Sequence, residues 1–479
     1  MKNDLEIFLK KFDNLSLNSK QISKNTVFIA YPGNKHDGRE FIQEAIENGA
    51  AGIIFESKNF KKNLNLSIPN ISISDLRNKL AAISSQFYEY PSKKISIIGI
   101  TGTNGKTTSA YWLSQCLNHL KIKTAFIGTL GYGDLKKLKK SQNTTPSAID
   151  LQRSIKEIYK KKYKYVAMEV SSHGIKEQRI NNIEFKQRLF TNLSRDHLDY
   201  HKTMSEYAEV KKKFMLSEKN GNIIVNIDDK VGQSIFNNSV LPDNKKVSFS
   251  IYKKSKIQAT NISQNHNNLN FDLNYYGKSF PVRLKLIGIF NIYNVLGVIG
   301  CLSTMGFEVN QIINSLKKIK QVPGRTEFIK KSKDLPSVMI DYAHTADALE
   351  NILKSIKINS FKKIILVFGC GGDRDKGKRK EMAKIAEEYA DHSLITSDNS
   401  RNENPKDIIE DISKHFDQEP IKIIDRKEAI CEAIKMADKE DLVVIAGKGH
   451  EEYQEIGNKK IYFSDKKVVD DFIKKGVKN

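Results

Sequence analysis

The feature that most constrains this chain is a run of ten residues, Gly99-Ile100-Thr101-Gly102-Thr103-Asn104-Gly105-Lys106-Thr107-Thr108, set between an apolar stretch at 95–100 and a helix-forming stretch at 109–120. A strand, a glycine-bearing turn and a helix in that order belong to a mainly parallel sheet. The chemistry of the turn is equally specific. Glycines let backbone N–H groups face phosphate oxygens, and the helix N-terminus adds positive potential. Lys106 can neutralise β- and γ-phosphates, and the Thr107 hydroxyl can ligate Mg²⁺. Gly102, Thr103, Asn104, Gly105 and Thr108 complete a candidate nucleotide-binding loop. One position departs from the general phosphate-loop pattern: Ile100 stands where a glycine is usual, which points to a subtype.

Around this loop the chain reads as three successive α/β regions, as its 479 residues lead one to expect at about 150 residues per domain. A strand at 27–30, a helix at 38–48 and a strand at 50–55 form a small first module. A helix at 75–88 then meets Pro91, and because the residue before proline avoids the α region, a boundary is expected near residue 92. Strands at 95–100, 165–170 and 223–227 alternate with helices, whereas 257–286 alternates apolar and polar residues and reads as an antiparallel insert. Beyond Pro323-Gly324, strands at 338–340, 364–368 and 442–445 suggest a doubly wound domain. The expected domains are 1–91, 92–322 and 323–479, with no repeat of 20–50 residues.

Composition narrows the surroundings. No apolar run approaches the roughly 18 residues that cross a bilayer, and the first residues, Met1-Lys2-Asn3-Asp4-Leu5-Glu6, lack the order of a signal peptide. Cys116, Cys301, Cys370 and Cys431 stand singly, so the cytoplasm is expected, without a disulfide framework or structural zinc. Lys and Arg outnumber Asp and Glu by 79 to 56. The lysines are spread throughout, without a basic tail or an aromatic-rich RNA motif, so neither nucleic acid nor membrane insertion is expected.

Further segments stand in order: Asn143-Thr144-Thr145-Pro146, Glu169-Val170-Ser171-Ser172-His173, Thr191-Asn192-Leu193-Ser194-Arg195-Asp196-His197-Leu198-Asp199-Tyr200-His201, the pair Asn291 and Asn294, Pro323-Gly324-Arg325-Thr326-Glu327, and Asp341-Tyr342-Ala343-His344-Thr345. With Thr-Gly-Thr-Asn-Gly-Lys-Thr-Thr at 101–108, they resemble the Mur ligase family over most of the chain. Gly371-Gly372-Asp373-Arg374-Asp375-Lys376-Gly377-Lys378-Arg379 and Gly447-Lys448-Gly449-His450-Glu451 are similar to its tripeptide synthetases. The resemblance implies a three-domain α/β architecture with a central, mainly parallel P-loop sheet and a C-terminal Rossmann-like domain. It also implies a monomeric ligase of peptidoglycan precursor synthesis that uses ATP, Mg²⁺ and CO₂. Such an enzyme extends UDP-N-acetylmuramoyl-L-alanyl-D-glutamate by one diamino acid through an acyl phosphate, releasing ADP and phosphate.

The same resemblance assigns residues. Lys106, Glu169, His197 and Lys211 carry catalysis, and Thr107, Glu169, His197 and a Lys211 carbamate bind metal. Read alone, Glu169 is a capped strand end, His197 a loop histidine, and Lys211 one of three adjacent lysines with Lys212 and Lys213. A lysine takes up CO₂ only as the neutral amine, so Lys211 should be buried or beside other cations. Asn291, Asn294, Arg325, Asp341 and His344 resemble the remaining ATP contacts, although polar residues at domain seams are often structural. Leu17 and Ser19 match the uridine-facing positions, with Asn34-Lys35-His36 in the next loop; Asn18 replaces the usual Asp and Lys20 the usual Arg. Asn143, Thr144, Thr145, Ser171, Glu177 and Arg179 match the muramoyl-dipeptide site, Glu177 standing where the family has Gln. Arg179 can grip a carboxylate bidentately.

Asp398-Asn399-Ser400-Arg401 resembles the Asp-Asn-Pro-Arg motif of enzymes that use meso-2,6-diaminopimelate, with Ser400 in place of proline. That substrate carries a second carboxylate which lysine lacks. Arg374 and Arg401 are its expected partners, while Glu451 and the Gly447 backbone would hold the distal ammonium. The alternatives are the same ligation with L-lysine, or a folylpolyglutamate or cyanophycin synthetase-type amide ligase. From another class comes a nucleic-acid-binding NTPase, which would not account for Glu169, His197 and Lys211.

Overall fold

The computed structural model describes residues 2–33, 36–60, 66–217, 221–265, 268–329, 335–358 and 361–476. Its strands form where β-branched and aromatic residues are buried on both faces, as at Ile364–Phe368 and Leu442–Ala446. Strands covered by helices on both sides read as continuous apolar runs, which is how these were recognised. Helices form where capped amphipathic stretches pack against them. The chain divides into two compact units, residues 1–97 with 125–185, and residues 98–124 with 186–479.

In the first unit, strands Asn14–Ser16, Thr26–Ala30, Gly52–Glu56 and Asn70–Ile73 pair side by side in chain order, all parallel. Helix Leu76–Phe87 shares their apolar core with Ala148 and Ile149 of helix Ala148–Lys160. Arg153 on the latter helix donates to the Leu15 carbonyl at 2.5 Å and to the Tyr88 hydroxyl at 3.0 Å, tying this helix to the first module. The expected helix at 38–48 is instead a 3₁₀ turn, Gly38–Phe41, followed by α-helix Ile42–Glu47. Asp37 accepts from the Arg39 amide at 3.0 Å, and this capping bond tightens the opening turn. Strands Tyr165–Glu169, Thr124–Gly128, Gly131–Asp134 and Lys137–Lys139 lie next to one another in that order.

In the second unit, the segment expected to be antiparallel forms strands Ile257–Asn265, Asn268–Tyr275 and Lys278–Leu284 with antiparallel pairing. Ile257–Asn265 joins the parallel strands Lys246–Ser250, Asn222–Asn226 and Phe185–Phe190, and Ser96–Thr101 follows in order. A second sheet runs Glu327–Ile329, Ser337–Asp341, Leu442–Ala446, Ile364–Phe368, His392–Ile395 and Ile421–Lys422, parallel except at its first edge. Successive strand residues face opposite ways. Leu366 and Val444 therefore join helices Ala346–Lys357, Gly377–Tyr389 and Pro405–Ser413 on one face, while Val367 and Val443 join Arg426–Met436 and Val469 on the other. This is the doubly wound arrangement expected from the strand and helix alternation. Among the described residues no helix is long and apolar enough to cross a membrane.

One buried ion pair anchors the second face. Arg426 donates to both oxygens of Asp465 at 2.8 and 2.9 Å, and both side chains are wholly buried. Its remaining N–H groups reach the Ala446 carbonyl at 2.9 Å and that of Ser397 at 3.4 Å. Removing one partner strands the other charge. Arg426→Met or Asp465→Leu alone is expected to lower stability by about 3–5 kcal/mol in urea unfolding, whereas the double substitution should recover at least half of that loss. Strictly additive losses would contradict this.

Candidate functional site

Gly105, with φ of 82°, caps helix Lys106–His119. The helix therefore begins three residues before the stretch expected from apolar periodicity, and Lys106, Thr107 and Thr108 occupy its first turn. A side chain at Gly105 would run into the Asn294 carboxamide, which packs directly behind the loop. Asn294 donates to Asn291 at 3.0 Å, and Asn291 donates to the Ile287 carbonyl at 2.7 Å. The Asn pair thus buttresses the loop from an adjacent helix, Phe290–Ser303. On the other side, the Asn104 amide donates to Asn192 at 2.9 Å, and its carboxamide reaches Ser194 at 3.2 Å and Asp347 at 2.7 Å.

Two lysines meet at one carbonyl. Lys106 Nζ donates to Gly102 O at 2.8 Å and to Thr103 O at 2.6 Å, and Lys211 Nζ donates to the same Gly102 O at 2.8 Å. Lys211 lies on helix Met204–Leu216 and is 1% exposed. Lys212 instead pairs with Glu209 at 2.9 Å near the surface, and Lys213 is exposed. Burial, followed by the neighbouring Lys106 charge, pushes the Lys211 pKa well below the ordinary lysine value, against a weaker pull from Asp196. Tyr207 connects this lysine to its surroundings. Its ring lies 4.6 Å from Lys211 Nζ and 6.2 Å from the His197 ring, and its hydroxyl is 3.1 Å from Thr103 Oγ1.

His197, at φ 56°, precedes the short helix Leu198–His201 and keeps its ring about one-third exposed. Its Nε2 is 3.3 Å from Asp196 Oδ2, which His344 Nε2 approaches to 3.7 Å. Burial alone would raise the Asp196 pKa, but His197, His344 and Lys378 hold it far below the carboxylate range. Asp196 stood within a quoted motif without an assigned role; the structure makes it the anion between two candidate site histidines. Arg325 donates to Thr107 Oγ1 at 3.1 Å, and its guanidinium stacks 4.1 Å from the centre of the Tyr342 ring. Asp341 is buried and accepts from the Thr326 and Ala343 amides at 2.5 and 2.7 Å. It fixes the backbone just after Arg325 and just before His344.

In the first unit, the Glu169 carboxylate is buried at the C-terminal end of its strand. It accepts from the Thr129 amide at 2.8 Å and the Thr129 hydroxyl at 3.2 Å. Thr144 lies 3.1 Å from that hydroxyl, and Thr145 links the Glu169 carbonyl to the Ser171 amide at 3.0 and 2.9 Å. Ser171 caps the next helix, Ser172–Lys176, whereas Asn143 is exposed. Arg179 donates to the Thr145 carbonyl at 2.8 Å and twice to Glu177 Oε2, at 2.9 and 2.6 Å. Glu177 therefore already occupies the fork expected for a ligand carboxylate. Ser19 is buried and donates to Glu44 at 2.5 Å, and Leu17 packs against the core. Of the next loop, Asn34 and Lys35 lie outside the described residues, and His36 is exposed.

The amino-acid segments of the second unit converge. Asn399 accepts from Lys448 at 3.1 Å and donates to Glu451 at 3.1 Å, while Lys448 reaches the same Glu451 oxygen at 2.8 Å. Asp398 is buried, and despite that burial the Lys448 and Arg426 charges lower its pKa. Ser400 is also buried and accepts from the Glu403 amide at 3.0 Å. The Gly447 amide donates to the Asp341 carbonyl at 3.1 Å. Arg374 is 43% exposed and pairs with Asp199 at 3.3 Å. Lys448, fully buried and central to this network, has no role assigned from the sequence; its place inside a glycine motif is the only signal that marks it.

Family models described as Mur ligase family catalytic domain, Mur ligase middle domain and Mur ligase glutamate ligase domain match residues 11–88, 100–302 and 324–449. The UDP-N-acetylmuramoyl-L-alanyl-D-glutamate–2,6-diaminopimelate ligase 1 of Clostridium acetobutylicum is 39% identical over 468 residues, covering 97% of this chain and 95% of its own. The correspondingly named ligase of Wigglesworthia glossinidia brevipalpis is 40% identical over 475 residues, covering 97% and 95%. A solved structure of a protein of that name superposes with a TM-score of 0.65 and 31% identity, covering 97% and 95%. Three successive family matches and relatives of this similarity along almost the whole length establish that the chain belongs to the Mur ligase family, ATP-dependent enzymes that form amide bonds.

Proposed function

We propose that this ligase adds meso-2,6-diaminopimelate to UDP-N-acetylmuramoyl-L-alanyl-D-glutamate, as a cytoplasmic monomer in peptidoglycan precursor synthesis. In this reading residues 1–91 receive the UDP end, 92–322 carry ATP chemistry and 323–479 read the amino acid. The D-glutamate γ-carboxylate attacks the ATP γ-phosphorus and ADP leaves. The incoming amine then attacks the acyl carbon, and phosphate departs with the former carboxyl oxygen. Phosphoryl transfer of this kind depends on positioning and charge neutralisation. Lys106 and Arg325 neutralise phosphate charge, and Gly102, Thr103, Asn104, Gly105 and Thr108 line the phosphate loop. Asn291 and Asn294 brace that loop, and Asp341 and His344 shape its nucleotide side.

The observation that carries this reading is the buried Lys211 amine beside Lys106 on the Gly102 carbonyl. A depressed pKa supplies the neutral nitrogen that carbamate formation needs. Hydroxyl, imidazole and carboxylate donors also suit a divalent cation: Thr107, His197 and the Lys211 carbamate would hold Mg²⁺, and Glu169 is assigned metal ligation in its own unit. When bound, CO₂ would turn the neutral Lys211 amine into an anionic oxygen donor with release of a proton, and Mg²⁺ would offset phosphate charge. Leu17, Ser19, Asn143, Thr144, Thr145, Ser171, Glu177 and Arg179 are assigned to the UDP-muramoyl-dipeptide. Arg374, Asp398, Asn399, Ser400, Arg401, Gly447 and Glu451 are assigned to diaminopimelate. The pairing of Arg374 and Arg401 favours an amino acid with a distal carboxylate over lysine.

In a three-way competition among diaminopimelate, L-lysine and L-ornithine, followed by product mass, diaminopimelate should dominate; equal turnover of lysine would refute the amino-acid assignment. Oxygen-18 placed in the D-glutamate carboxyl should appear in the released phosphate, and its absence would remove the acyl phosphate. Lys211→Ala should lower turnover by about a hundredfold or more, with partial rescue by added short carboxylic acids, whereas Lys212→Ala and Lys213→Ala should have little effect. Full activity of Lys211→Ala would end the carbamate assignment.

A further inference from the structure

Arg401 sits in a left-handed turn, at φ 49°, and the chain itself engages its guanidinium from two sides. Nη1 donates to the Gly372 carbonyl at 2.9 Å and reaches the Asn399 carbonyl at 3.4 Å. Nε lies 2.9 Å from Glu455 Oε2, with the two side chains 21% and 24% exposed. Glu455 belongs to the hairpin formed by Tyr453–Ile456 and Lys459–Tyr462, and its other oxygen is 3.3 Å from Lys460. The hairpin is anchored to the arginine through the backbone as well. The Arg401 amide donates to the Glu455 carbonyl at 2.9 Å, and the Gly457 amide donates to the Arg401 carbonyl at 2.7 Å. Arg401 and Arg374 share one small-residue loop, since a Cβ on Gly371 would lie 2.9 Å from Arg401 Nη1 and 3.7 Å from Arg374 Cγ.

We propose that Glu455 is a specificity-determining residue for the amino-acid substrate, a carboxylate supplied by the chain to the arginine that would otherwise be free for the substrate's distal carboxylate. The inference rests on the diaminopimelate reading of this site. A guanidinium takes a carboxylate best along its Nε edge, where two parallel N–H groups form a fork. With Glu455 at Nε, an incoming carboxylate must displace it or bind through the remaining N–H groups beside a like charge. An amino acid without that carboxylate meets the opposite situation. Arg401 keeps a counter-charge when such a substrate binds, so the penalty of an unpaired, half-buried cation is avoided. Both effects reduce discrimination between diaminopimelate and lysine. The orientation of Arg401 does not depend on Glu455, because the Gly372 and Asn399 carbonyls hold Nη1. Removing the Glu455 charge therefore frees the arginine without releasing it.

Glu455→Gln preserves shape and hydrogen bonding while removing the charge. Steady-state kinetics of the full chain with diaminopimelate and with L-lysine should show the ratio of their kcat/KM values rising about fivefold in favour of diaminopimelate, a shift on the scale of one half-exposed ion pair. The gain should appear in the KM for diaminopimelate, and in an Arg401→Ala background, where no cation is left for Glu455 to neutralise, the same Glu455→Gln change should have no effect on the ratio. A purely structural role for Glu455 would alter both amino acids alike. An unchanged or reduced ratio, in an enzyme whose unsubstituted form does use diaminopimelate, overturns the proposal and leaves the functional reading intact. Failure of the unsubstituted enzyme to use diaminopimelate removes both.

Discussion

The sharing of one carbonyl oxygen by two lysine nitrogens is the interaction on which this centre depends. Gly102 O accepts from Lys106 and Lys211 at equal distances of 2.8 Å, so the nitrogens stand near each other in a buried place. Burial, and then the neighbouring Lys106 charge, lower the Lys211 pKa well below the ordinary lysine value. Everything packed around the loop preserves that meeting point. Asn294 braces it from behind, Asn192 and Ser194 hold Asn104, and Tyr207 covers Lys211 while bonding Thr103.

A second regularity concerns the arginines. At arginines assigned to carboxylate binding only by resemblance, this chain supplies carboxylates of its own: Glu177 to Arg179, Glu455 to Arg401 and Asp199 to Arg374. Each cation is therefore compensated within the chain, and on the proposed function a ligand's carboxylate would exchange with a resident group instead of meeting a bare charge. Such exchange lowers the net electrostatic gain while keeping the guanidinium oriented. Arg325 is arranged differently. It stacks on Tyr342 and donates to Thr107, and its charge faces buried Asp341 without a direct side-chain ion pair among the described residues.

Much of the fold was legible because its signals are local. Apolar runs such as 364–368 and 442–445 became strands with nearly the same bounds, and the alternating segment 257–286 became the antiparallel insert. Helix starts were less legible. Lys106, Thr107 and Thr108 are polar and carry no apolar periodicity, yet Gly105 caps the helix just ahead of them. In the site, motifs located Glu169, His197, Arg325 and Arg401, but not their partners. Glu455 acts on Arg401, Arg426 and Lys448 on Asp398, and Asp196 on His344 through folding, and no spacing along the chain encodes those pairs, whereas Asp196 adjoins His197 and Lys448 stands three residues before Glu451.

By itself the sequence determined the phosphate loop, the alternation of strands and helices, and the residue types available for charge neutralisation, because backbone turning, side-chain periodicity and ionisation are properties of neighbouring residues. Only the tertiary structure decided which lysine among three adjacent ones is buried, and which arginine already has a carboxylate. Lys211, Lys212 and Lys213 are chemically identical. Their separation into a nitrogen held at Gly102, a surface ion pair and a solvated charge follows from the helical turn of about 100° per residue and from what each face packs against.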